Sequence, residues 1–339
     1  MPQRKPRPWE EGTDGREGMP RAVSARETCC SSRVRRLIPT MHYRSLLFTP
    51  GTAREQLHKS LTTGADALIW DLEDAVHPSE KDRARSVIRD VLDSLGDSHG
   101  RPIFLRVNAA GTQWFEADAE LAVHRSVRGV VLPKAEEAEH VQAARSLSGE
   151  AEVIAIVETA RGLRDLERVL GHVSGVALGA LDLAVDLGLT LTESGLELLY
   201  ARSRIATLAR AAGVKGIYDS AFPDLRDASG LRRRAESAKS LGFTGQLAVH
   251  PAQVEVIHDV YTPSPQEVEW ATRVLRAVES AERGGLGVFM LEGRMVDRPV
   301  MEQARQIYET ARRYEQEPAP PRVTSARREE GSGRTGENQ

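Results

Sequence analysis

From residue 44 onward, short apolar runs alternate with longer amphipathic stretches along the chain. Several of the runs are almost continuous in Val, Ile, Leu and Ala, which is typical of parallel strands that are covered on both faces. Eight runs predict strands: Ser45–Pro50, Ala67–Asp71, Pro102–Val107, Gly129–Pro133, Val153–Val157, Val176–Leu178, Gly216–Tyr218 and Gln246–Val249.

The stretches between the runs have the spacing of amphipathic helices. Pro78 opens one helix, whose apolar positions Ala84, Ile88 and Val91 recur at core-facing intervals, and Glu193–Ala212 predicts another. Eight strands that alternate with helices favour a closed (β/α)₈ TIM barrel in the α/β class. A doubly wound open sheet is the alternative, weakened because no Gly-x-Gly-x-x-Gly turn follows an early strand.

The segment after the eighth strand predicts a helical appendage. We assign residues 42–262 to the barrel and residues 263–316 to this appendage. It contains a helix over Gln266–Glu282, a short apolar run at Val288–Leu291, and a last helix that starts near Pro299. An appendage beyond a closed barrel must pack on its own barrel or reach a neighbouring subunit.

The two ends of the chain differ from its centre. Residues 1–41 and 317–339 are dominated by Arg, Glu, Pro, Ser and Gly without an apolar period, and we predict that both are disordered. Residues 1–41 carry nine Lys/Arg and five Asp/Glu, a balance of +4, which leaves −7 on the remainder because the whole chain is −3. The mildly acidic remainder argues against a nucleic-acid surface.

The basic head has several interpretations. A nucleic-acid-binding arm and a transit peptide are two of them, and both are weakened by the acidic residues interspersed in the head. We favour a third interpretation, in which the head is an N-terminal extension that activity does not need and the folded part begins at Met41. The chain's two cysteines, Cys29 and Cys30, are adjacent and have no partners at zinc spacing, which favours a cytoplasmic protein. No run of 18 apolar residues predicts a membrane span.

Polar side chains follow most of the predicted strands at their carboxyl ends, where barrels carry their chemistry. They are Asp71, Glu73 and Asp74 after the second run, Arg106 and Asn108 after the third, Lys134 after the fourth, Glu158 after the fifth, Asp182 after the sixth, Asp219 after the seventh and His250 after the eighth. A purely structural barrel does not need a polar group at almost every strand end. We therefore expect these residues to converge on one pocket.

Glu158 and Asp182 form the most informative pair. Consecutive strands place their carboxylates side by side, where they repel unless a cation neutralises them or one stays protonated. Mg²⁺ typically takes one or two carboxylates and completes its coordination with water and substrate oxygens. The alternative is a pair that caps a helix or binds arginines.

Arg106 keeps its charge at the end of a buried strand and so needs an anion. A substrate carboxylate suits the two-pronged guanidinium, and Asp71 or Glu73 is the structural alternative. Asp71, Glu73 and Asp74 are also candidates for holding metal-bound waters, although at least one of them is expected to cap the following helix. His250 is either a packed histidine or a ligand-binding one.

The strand-end motifs, taken in order, resemble the citrate-lyase β-subunit-like proteins of the HpcH/HpaI aldolase superfamily. The resemblance covers roughly residues 43–314, and only the ordered set of motifs is specific. The motifs are Arg44–Gly51, Gly64–Asp66, Asp71–Val76, Lys81 with Ala84–Arg85, Arg106–Asn108, Val131–Ala135, Ile156–Ala160, Gly179–Leu183, Val249–Gln253 and Gly293–Pro299. Glu292 departs from the residue that relatives commonly carry before Gly293.

The resemblance implies a barrel that assembles as a homotrimer or a higher homo-oligomer, with Mg²⁺, or Mn²⁺ in its place, on Glu158 and Asp182. Arg106, together with Glu158, would bind the oxo-acid portion of the substrate. Asp297 would serve as an acid/base group in the adjacent subunit's site. Contacts to coenzyme A are not assigned by the motifs, and Arg44, Lys134 and His250 are the candidates.

The activity that follows is carbon–carbon lysis of 3-hydroxyacyl thioesters of the malyl-CoA or citramalyl-CoA type. The products are a keto acid and acetyl-CoA, and the reverse condensation uses the same groups. Three alternatives remain open: a citrate lyase β subunit that acts on a citryl thioester of an acyl-carrier protein, a malyl-CoA-type thioesterase, and a non-catalytic barrel protein. The expected partners are a CoA thioester and a small keto or hydroxy acid, with neither nucleic acid nor membrane.

Overall fold

The computed structural model describes residues 42–95, 100–283 and 288–315. Eight parallel strands pair in chain order, and the last pairs with the first, so that the sheet closes into a barrel. The strands are β1 Ser45–Pro50, β2 Ala67–Asp71, β3 Ile103–Arg106, β4 Val127–Leu132, β5 Glu152–Val157, β6 Gly175–Leu178, β7 Gly216–Asp219 and β8 Gly245–Ala248. The predicted closed barrel is confirmed, and the alternative of an open sheet is wrong.

Helices connect the strands in the expected alternation. They are α1 Arg54–Ser60, α2 Lys81–Ser94, α3 Phe115–Leu121, α4 Ala138–Leu147, α5 Ala160–Arg164, α6 Leu166–Leu170, α7 Ala180–Leu187, α8 Leu199–Ala211, α9 Ala228–Ser240 and α10 Ala252–Tyr261, with short 3₁₀ helices at Pro78–Glu80 and Leu196–Leu198. The helix predicted from Glu193 starts later, because Gly195 has a left-handed φ of 64° that a continuous helix does not allow.

Strand alternation divides the apolar residues into two layers. Leu46, Ile69 and Phe104 belong to a cluster inside the barrel, whereas their neighbours Leu47 and Leu68 belong to the larger cluster between the strands and the helices. We call the carboxyl-terminal end of the barrel the mouth. There the same alternation directs polar side chains towards the inside of the barrel. These inward positions are Asp71, Arg106 and Glu158.

The appendage, which we call the arm, consists of α11 Pro265–Arg283, a hairpin of β9 Phe289–Leu291 and β10 Arg294–Val296, and α12 Arg298–Glu315. It has a small apolar core of its own, formed by Ala271, Val274, Val278, Val296 and Ala304. Residues from the start of α11 and from the end of α12 line one cavity, so the two helices run antiparallel.

The turn of the hairpin contains Glu292, the residue that departs from the pattern of relatives. Glu292 and Gly293 connect the paired residues Leu291 and Arg294, with φ values of 51° and 77°. Two consecutive left-handed residues make the mirror-image turn that two-residue hairpins favour. Glu292 therefore occupies a strained backbone position in the turn.

The predicted disordered head and tail lie outside the described residues. Among the helices that are described, none has both the length and the apolar character needed to cross a bilayer.

Candidate active site

Arg106 lies at the centre of the mouth. Its Nε and Nη2 atoms donate to the two carboxylate oxygens of Asp71 at 2.8 and 2.6 Å, and its guanidinium lies 4.7 Å from the centre of the Phe48 ring. Nη1 is 3.0 Å from Oε2 of Glu73, within ion-pair range. The predicted structural partners of Arg106 are thus both present: Asp71 takes the Nε/Nη2 edge of the guanidinium, and Glu73 lies beside Nη1.

The loop that carries Glu73 is held rigidly. Lys81 donates to the carbonyl oxygens of Leu72 and Glu73 at 2.7 and 2.8 Å, and Asn108 donates to the Leu72 carbonyl at 2.9 Å. Asp71 accepts from the backbone N–H of Glu73 at 2.8 Å. Asp71 therefore fixes both the loop and Arg106, which leaves it little capacity to hold metal-bound waters.

Lys134 bridges carboxylates from two different strands. Its backbone N–H donates to Glu158 Oε1 at 2.8 Å, and its Nζ donates to Glu73 Oε1 at 2.8 Å while lying 4.0 Å from Glu158 Oε1. The residue adopts a left-handed φ of 49°, which is costly for a side chain of this size. This conformation directs both of its nitrogen donors at the carboxylate cluster.

The buried carboxylates have raised pKa values. Burial, then the charge of Glu73, and in addition that of Asp182, raise the pKa of Glu158 to about 7. Burial also raises the pKa of Glu73, against the opposing charges of Arg106 and Lys134. Burial alone would lower the pKa of Lys134, but its hydrogen bond to Glu73 and the charges of Glu73 and Glu158 shift it upward.

Asp182 lies in the first turn of α7. The sequence had predicted it at the end of the sixth strand. Gly179, just before this helix, is packed against Glu158: a Cβ at position 179 would be 2.4 Å from Glu158 Oε2. Ser220 supports the helix start by accepting from the Ala180 N–H at 3.2 Å. The fold therefore places Glu158 against the start of the helix that carries Asp182, and the pairing of the two carboxylates on one metal ion stays a prediction.

The donor chemistry at the mouth suits a divalent cation. Five carboxyl groups at the mouth outnumber three cationic groups. The carboxyl groups are those of Asp71, Glu73, Asp74, Glu158 and Asp182, and the cations are Arg106, Lys134 and Lys81. Glu73 Oε2 is buried and has no hydrogen-bond donor in suitable geometry among the described residues. No cluster of three or more His, Cys, Asp or Glu side chains forms a ready metal site in that part of the chain. Mg²⁺ needs no such cluster, because one or two carboxylates suffice for it.

Two other strand-end residues do not join this cluster. Asp219 points outward and is held by Arg202 of α8, whose Nε and Nη2 donate at 3.0 and 3.1 Å. His250 is exposed, and its Nδ1 accepts from the Ala252 N–H at 3.1 Å at the start of α10. Asp74 lies at the edge of the mouth, 3.9 Å from Arg106 Nη1, with an exposed carboxylate.

The structure places Arg44 and Asp297 away from the mouth. Arg44 precedes β1, so it lies at the amino-terminal face of the barrel, where it binds Asp66. Asp297 precedes α12, and its Oδ1 accepts from the Val300 N–H at 3.3 Å, as a helix N-cap does. Among the residues that the structure describes, the hydrogen-bond partners of Asp297 are Val300 and Met301, both in the arm.

Sequence reasoning missed three contributors to the site: Phe48, Lys81 and Gly179. Phe48 could have been found from strand alternation, since it follows the inward residue Leu46 by two positions. Lys81 is the first residue of α2, where the helix dipole disfavours a cation, and this mismatch indicates a tertiary role. The need for glycine at position 179 depends on the orientation of Glu158, which no local pattern specifies.

Comparison with known proteins places this site in a family. The family model for HpcH/HpaI aldolase/citrate lyase matches residues 44–251, which span all eight barrel strands. The (3S)-malyl-CoA thioesterase of Cereibacter sphaeroides is 34% identical over 266 residues, 78% of this chain and 93% of that protein. Citrate lyase subunit beta of Escherichia coli is 35% identical over 290 residues, 79% of this chain and 93% of that protein.

A solved structure agrees with these relatives. CitE from Mycobacterium tuberculosis, in complex with magnesium, acetoacetate and coenzyme A, is 32% identical with a TM-score of 0.68, and the match covers 80% of this chain and 99% of that one. The resemblance predicted from the ordered motifs is confirmed, and the chain belongs to the HpcH/HpaI aldolase/citrate lyase family.

Proposed function

We propose that this protein is a Mg²⁺-dependent carbon–carbon lyase that acts on 3-hydroxyacyl thioesters of the malyl-CoA or citramalyl-CoA type. One observation carries the proposal. The Glu158 carboxylate packs against Gly179, which precedes the helix that carries Asp182, and it lies in the same mouth as Arg106 within a cluster of carboxylates that outnumbers the cations. An anionic substrate needs a cation at such a site.

Glu158 and Asp182 are the residues that would hold Mg²⁺, and the magnesium complexes of the Mycobacterium tuberculosis CitE proteins support this assignment. When bound, the ion supplies Lewis-acid stabilisation of negative charge that develops during the reaction. Lys134 keeps Glu158 oriented through its backbone N–H, and Gly179 leaves room for the carboxylate. Asp71, Glu73 and Asp74 act around this pair by holding the loop and the cations in place.

Arg106 binds the carboxylate of the keto acid in this proposal. Asp71 occupies the Nε/Nη2 edge, so a substrate carboxylate would bind at the Nη1/Nη2 end, beside Glu73, whose Oε2 lies 3.0 Å from Nη1. Because Asp71 and the Phe48 ring fix the plane of the guanidinium, Arg106 is oriented before the substrate arrives. His250 remains a candidate for contact with coenzyme A, since it is exposed beside the mouth.

Asp297 would come from a neighbouring chain. Exposed apolar side chains flank Asp182 and line the adjacent rim, including Leu181, Val185 and Tyr200, and Met290 and Met295 are exposed on the hairpin beside Asp297. Apolar surfaces of this kind mark places where proteins associate. A homo-oligomer in which the hairpin of one chain covers the mouth of the next, a trimer in the simplest case, would bury both and deliver Asp297 to the site.

The reaction balances with Asp297 and solvent. In cleavage, the hydroxyl group of the substrate gives its proton to solvent, the bond between the carbinol carbon and the thioester α-carbon breaks, and the electron pair moves onto the α-carbon as a thioester enolate. Asp297 gives that carbon a proton, which yields acetyl-CoA and a keto acid. In condensation, Asp297 removes a proton from the α-carbon, the enolate forms the new carbon–carbon bond to the keto carbonyl, and the resulting alkoxide takes a proton from solvent.

A second candidate function is thioester hydrolysis, which is favoured by the identity to the (3S)-malyl-CoA thioesterase of Cereibacter sphaeroides. A third is action on a thioester of an acyl-carrier protein, as the relationship to citrate lyase subunit beta suggests. The products separate these activities. A lyase gives acetyl thioester and keto acid in equal amounts, whereas a hydrolase that acts on the intact substrate gives free CoA and a hydroxy acid.

The test is to incubate the full-length protein and Mg²⁺ with malyl-CoA, citramalyl-CoA and citryl-CoA, and to identify the products by mass spectrometry. We expect acetyl-CoA and a keto acid from at least one substrate, and no product with Glu158→Gln. Free CoA without acetyl-CoA would replace the lyase with the thioesterase. No product from any CoA ester, but turnover of the acyl-carrier-protein thioester, would establish the third function.

A further inference from the structure

Arg44, a candidate for coenzyme A contact, instead connects the barrel to the arm. Its Nε and Nη2 atoms donate to the two oxygens of Asp66 at 2.9 and 2.7 Å, and its Nη1 donates to Thr262 Oγ1 at 3.0 Å. Asp66 precedes β2, and Thr262 follows α10 in the segment that leads into α11. The guanidinium therefore joins the amino-terminal face of the barrel to the covalent origin of the arm.

The ion pair beneath Arg44 is built to persist. The Asp66 side chain is only 6% exposed, and His258 Nε2 lies 3.2 Å from its Oδ1. Burial would raise the pKa of Asp66, but the hydrogen bonds from Arg44 and His258 outweigh this and hold the pKa well below its usual range. The carboxylate thus stays charged, and Arg44 has a fixed orientation on the barrel.

Tyr314, near the end of α12, contacts this fixed guanidinium. The centre of its ring is 4.0 Å from Cζ of Arg44, and its hydroxyl donates to the carbonyl oxygen of His42 at 3.2 Å. Cation–π contacts of this kind are directional and contribute about 0.5–2 kcal/mol. Arg44 consequently contacts both roots of the arm: the residues that lead into α11 and the last turn of α12.

An open groove of about 470 Å³ lies at these roots. It is lined by Arg44, Thr262, Val268, Ala311 and Tyr314 among others. The apolar core of the arm is a separate cluster from the core of the barrel. The two apolar cores are not continuous across these roots, which we call the joint. A few directional contacts at the joint therefore decide the angle at which the arm leaves the barrel.

We propose that Arg44 and Tyr314 are positioning residues that set the direction of the arm and, through it, the place that Asp297 reaches in the neighbouring chain. The catalytic part of this inference rests on the proposed function. Asp297 is separated from Tyr314 by a helix of about 25 Å. A tilt of about 5° at the joint therefore moves Asp297 by about 2 Å, and a misplacement of about 1 Å can cost on the order of 100-fold in rate.

The first test compares Tyr314→Leu with Tyr314→Phe as its matched control. Phenylalanine keeps the ring over Arg44 and loses the hydroxyl bond to His42, whereas leucine removes the ring. We expect kcat of Tyr314→Leu to fall at least about tenfold. The KM values of the substrates and the Mg²⁺ affinity should stay within about twofold, because the mouth is unchanged. Tyr314→Phe should retain most of its kcat.

The second test measures the arm directly and needs no activity. Spin labels at Arg89→Cys on α2 and Gln303→Cys on α12, both exposed positions, report the distance between barrel and arm once Cys29 and Cys30 are replaced by serine. Labelled chains are diluted into unlabelled ones, so that only distances within one chain are read. We expect a narrow distribution for the otherwise unchanged protein and for Tyr314→Phe, and a broad or shifted one for Tyr314→Leu.

The outcomes are separable. A Tyr314→Leu distribution with the same centre and the same width as that of the parent, or a changed distribution without loss of kcat, overturns the positioning role. If the parent protein has no lyase activity, the proposed function fails by itself, and the label distances still confirm or overturn the fixation of the arm by Arg44 and Tyr314.

Discussion

The Glu158 carboxylate occupies the space that any side chain at position 179 would need. A Cβ on Gly179 would lie 2.4 Å from Oε2 and 2.5 Å from Cβ of Glu158. We expect Gly179→Ala to displace Glu158 and to weaken Mg²⁺ binding at least about tenfold, measured by calorimetry. Gly171→Ala is the matched control, because position 171 has a φ of −67° and no neighbouring atom within 4 Å of an added Cβ. Wild-type Mg²⁺ affinity in Gly179→Ala would mean that Glu158 is not a ligand.

Mg²⁺ binding should depend on pH through Glu158. Because the pKa of this buried carboxyl is raised to about 7, the metal-free protein holds a proton there at lower pH, and Mg²⁺ must displace it. We expect the apparent affinity to rise by up to about tenfold per pH unit below pH 7 and to level off above it. Titrations in two buffers of different ionisation enthalpy should detect the released proton, and Glu158→Gln should remove the dependence.

The same shift predicts a stability effect of known sign. In the metal-free protein the folded state retains the Glu158 proton above the pH at which the unfolded chain loses it. The contribution of this group to the free energy of unfolding is therefore lost as the pH rises through about 7. Chemical denaturation of wild type and Glu158→Gln between about pH 5 and pH 8 isolates this contribution. A difference that grows in favour of wild type as the pH rises would contradict the raised pKa.

Arg106→Lys should impair substrate binding far more than it impairs the fold. An ammonium cannot hold Asp71 with two parallel bonds and still present a planar end to a keto acid, so we expect kcat/KM to fall about 100-fold. Arg202→Lys is a matched control, because Arg202 grips Asp219 with the same two nitrogens on the outer side of the barrel. It should lower Tm and leave KM unchanged. Equal effects of the two variants on KM would exclude a substrate contact for Arg106.

Lys134→Gln distinguishes a cluster residue from a coenzyme A contact. Lys134 Nζ lies 4.0 Å from Glu158 Oε1, so its charge opposes a divalent cation at that carboxylate. Above pH 8, where Glu158 is ionised, we expect its loss to raise Mg²⁺ affinity about fivefold, consistent with about 1 kcal/mol of charge repulsion. Lys215→Gln, at an exposed position far from the mouth, should change nothing. Unchanged Mg²⁺ affinity with a salt-dependent rise in the KM of the thioester would instead indicate a phosphate contact.

The sequence was sufficient for the barrel because its signals are periodic. Eight apolar runs in strict alternation with helices allow few folds, and strand alternation places Asp71, Arg106 and Glu158 on the inner side without knowledge of any contact. The strand ends also singled out the pair of Glu158 and Asp182, to which the ordered motifs assigned Mg²⁺. Both kinds of information depend only on positions along the chain.

The sequence did not predict which charged side chains pair with one another. Asp71 and Glu73 were recognised as candidate partners of Arg106, but only packing decides that Asp71 takes the two-pronged edge. Arg44 lies in the first of the ordered motifs, yet its contacts are to residues 22, 218 and 270 positions away. Sequence spacing carries no information about such contacts.

The shared site can be tested with two variants that are each inactive alone. Asp297→Asn preserves the N-cap of α12, since asparagine caps helices as well as aspartate does, and Glu158→Gln preserves the volume at the mouth. Each variant should still assemble with its neighbours but be inactive. Asp297→Asn lacks the proton donor, and Glu158→Gln lacks the Mg²⁺ ligand. Neither substitution touches the joint at Arg44 and Tyr314.

The most direct measurement is the rate of acetyl-CoA release from the thioester substrate after these two variants are mixed under conditions of subunit exchange, with exchange confirmed by native mass spectrometry. In mixed oligomers, an intact mouth from Asp297→Asn meets an intact arm from Glu158→Gln. At equal mixing we predict about a quarter of the wild-type rate, because half of the mouths and half of the neighbouring arms are intact. Confirmed exchange without any recovery of acetyl-CoA release would contradict a site that two chains build together.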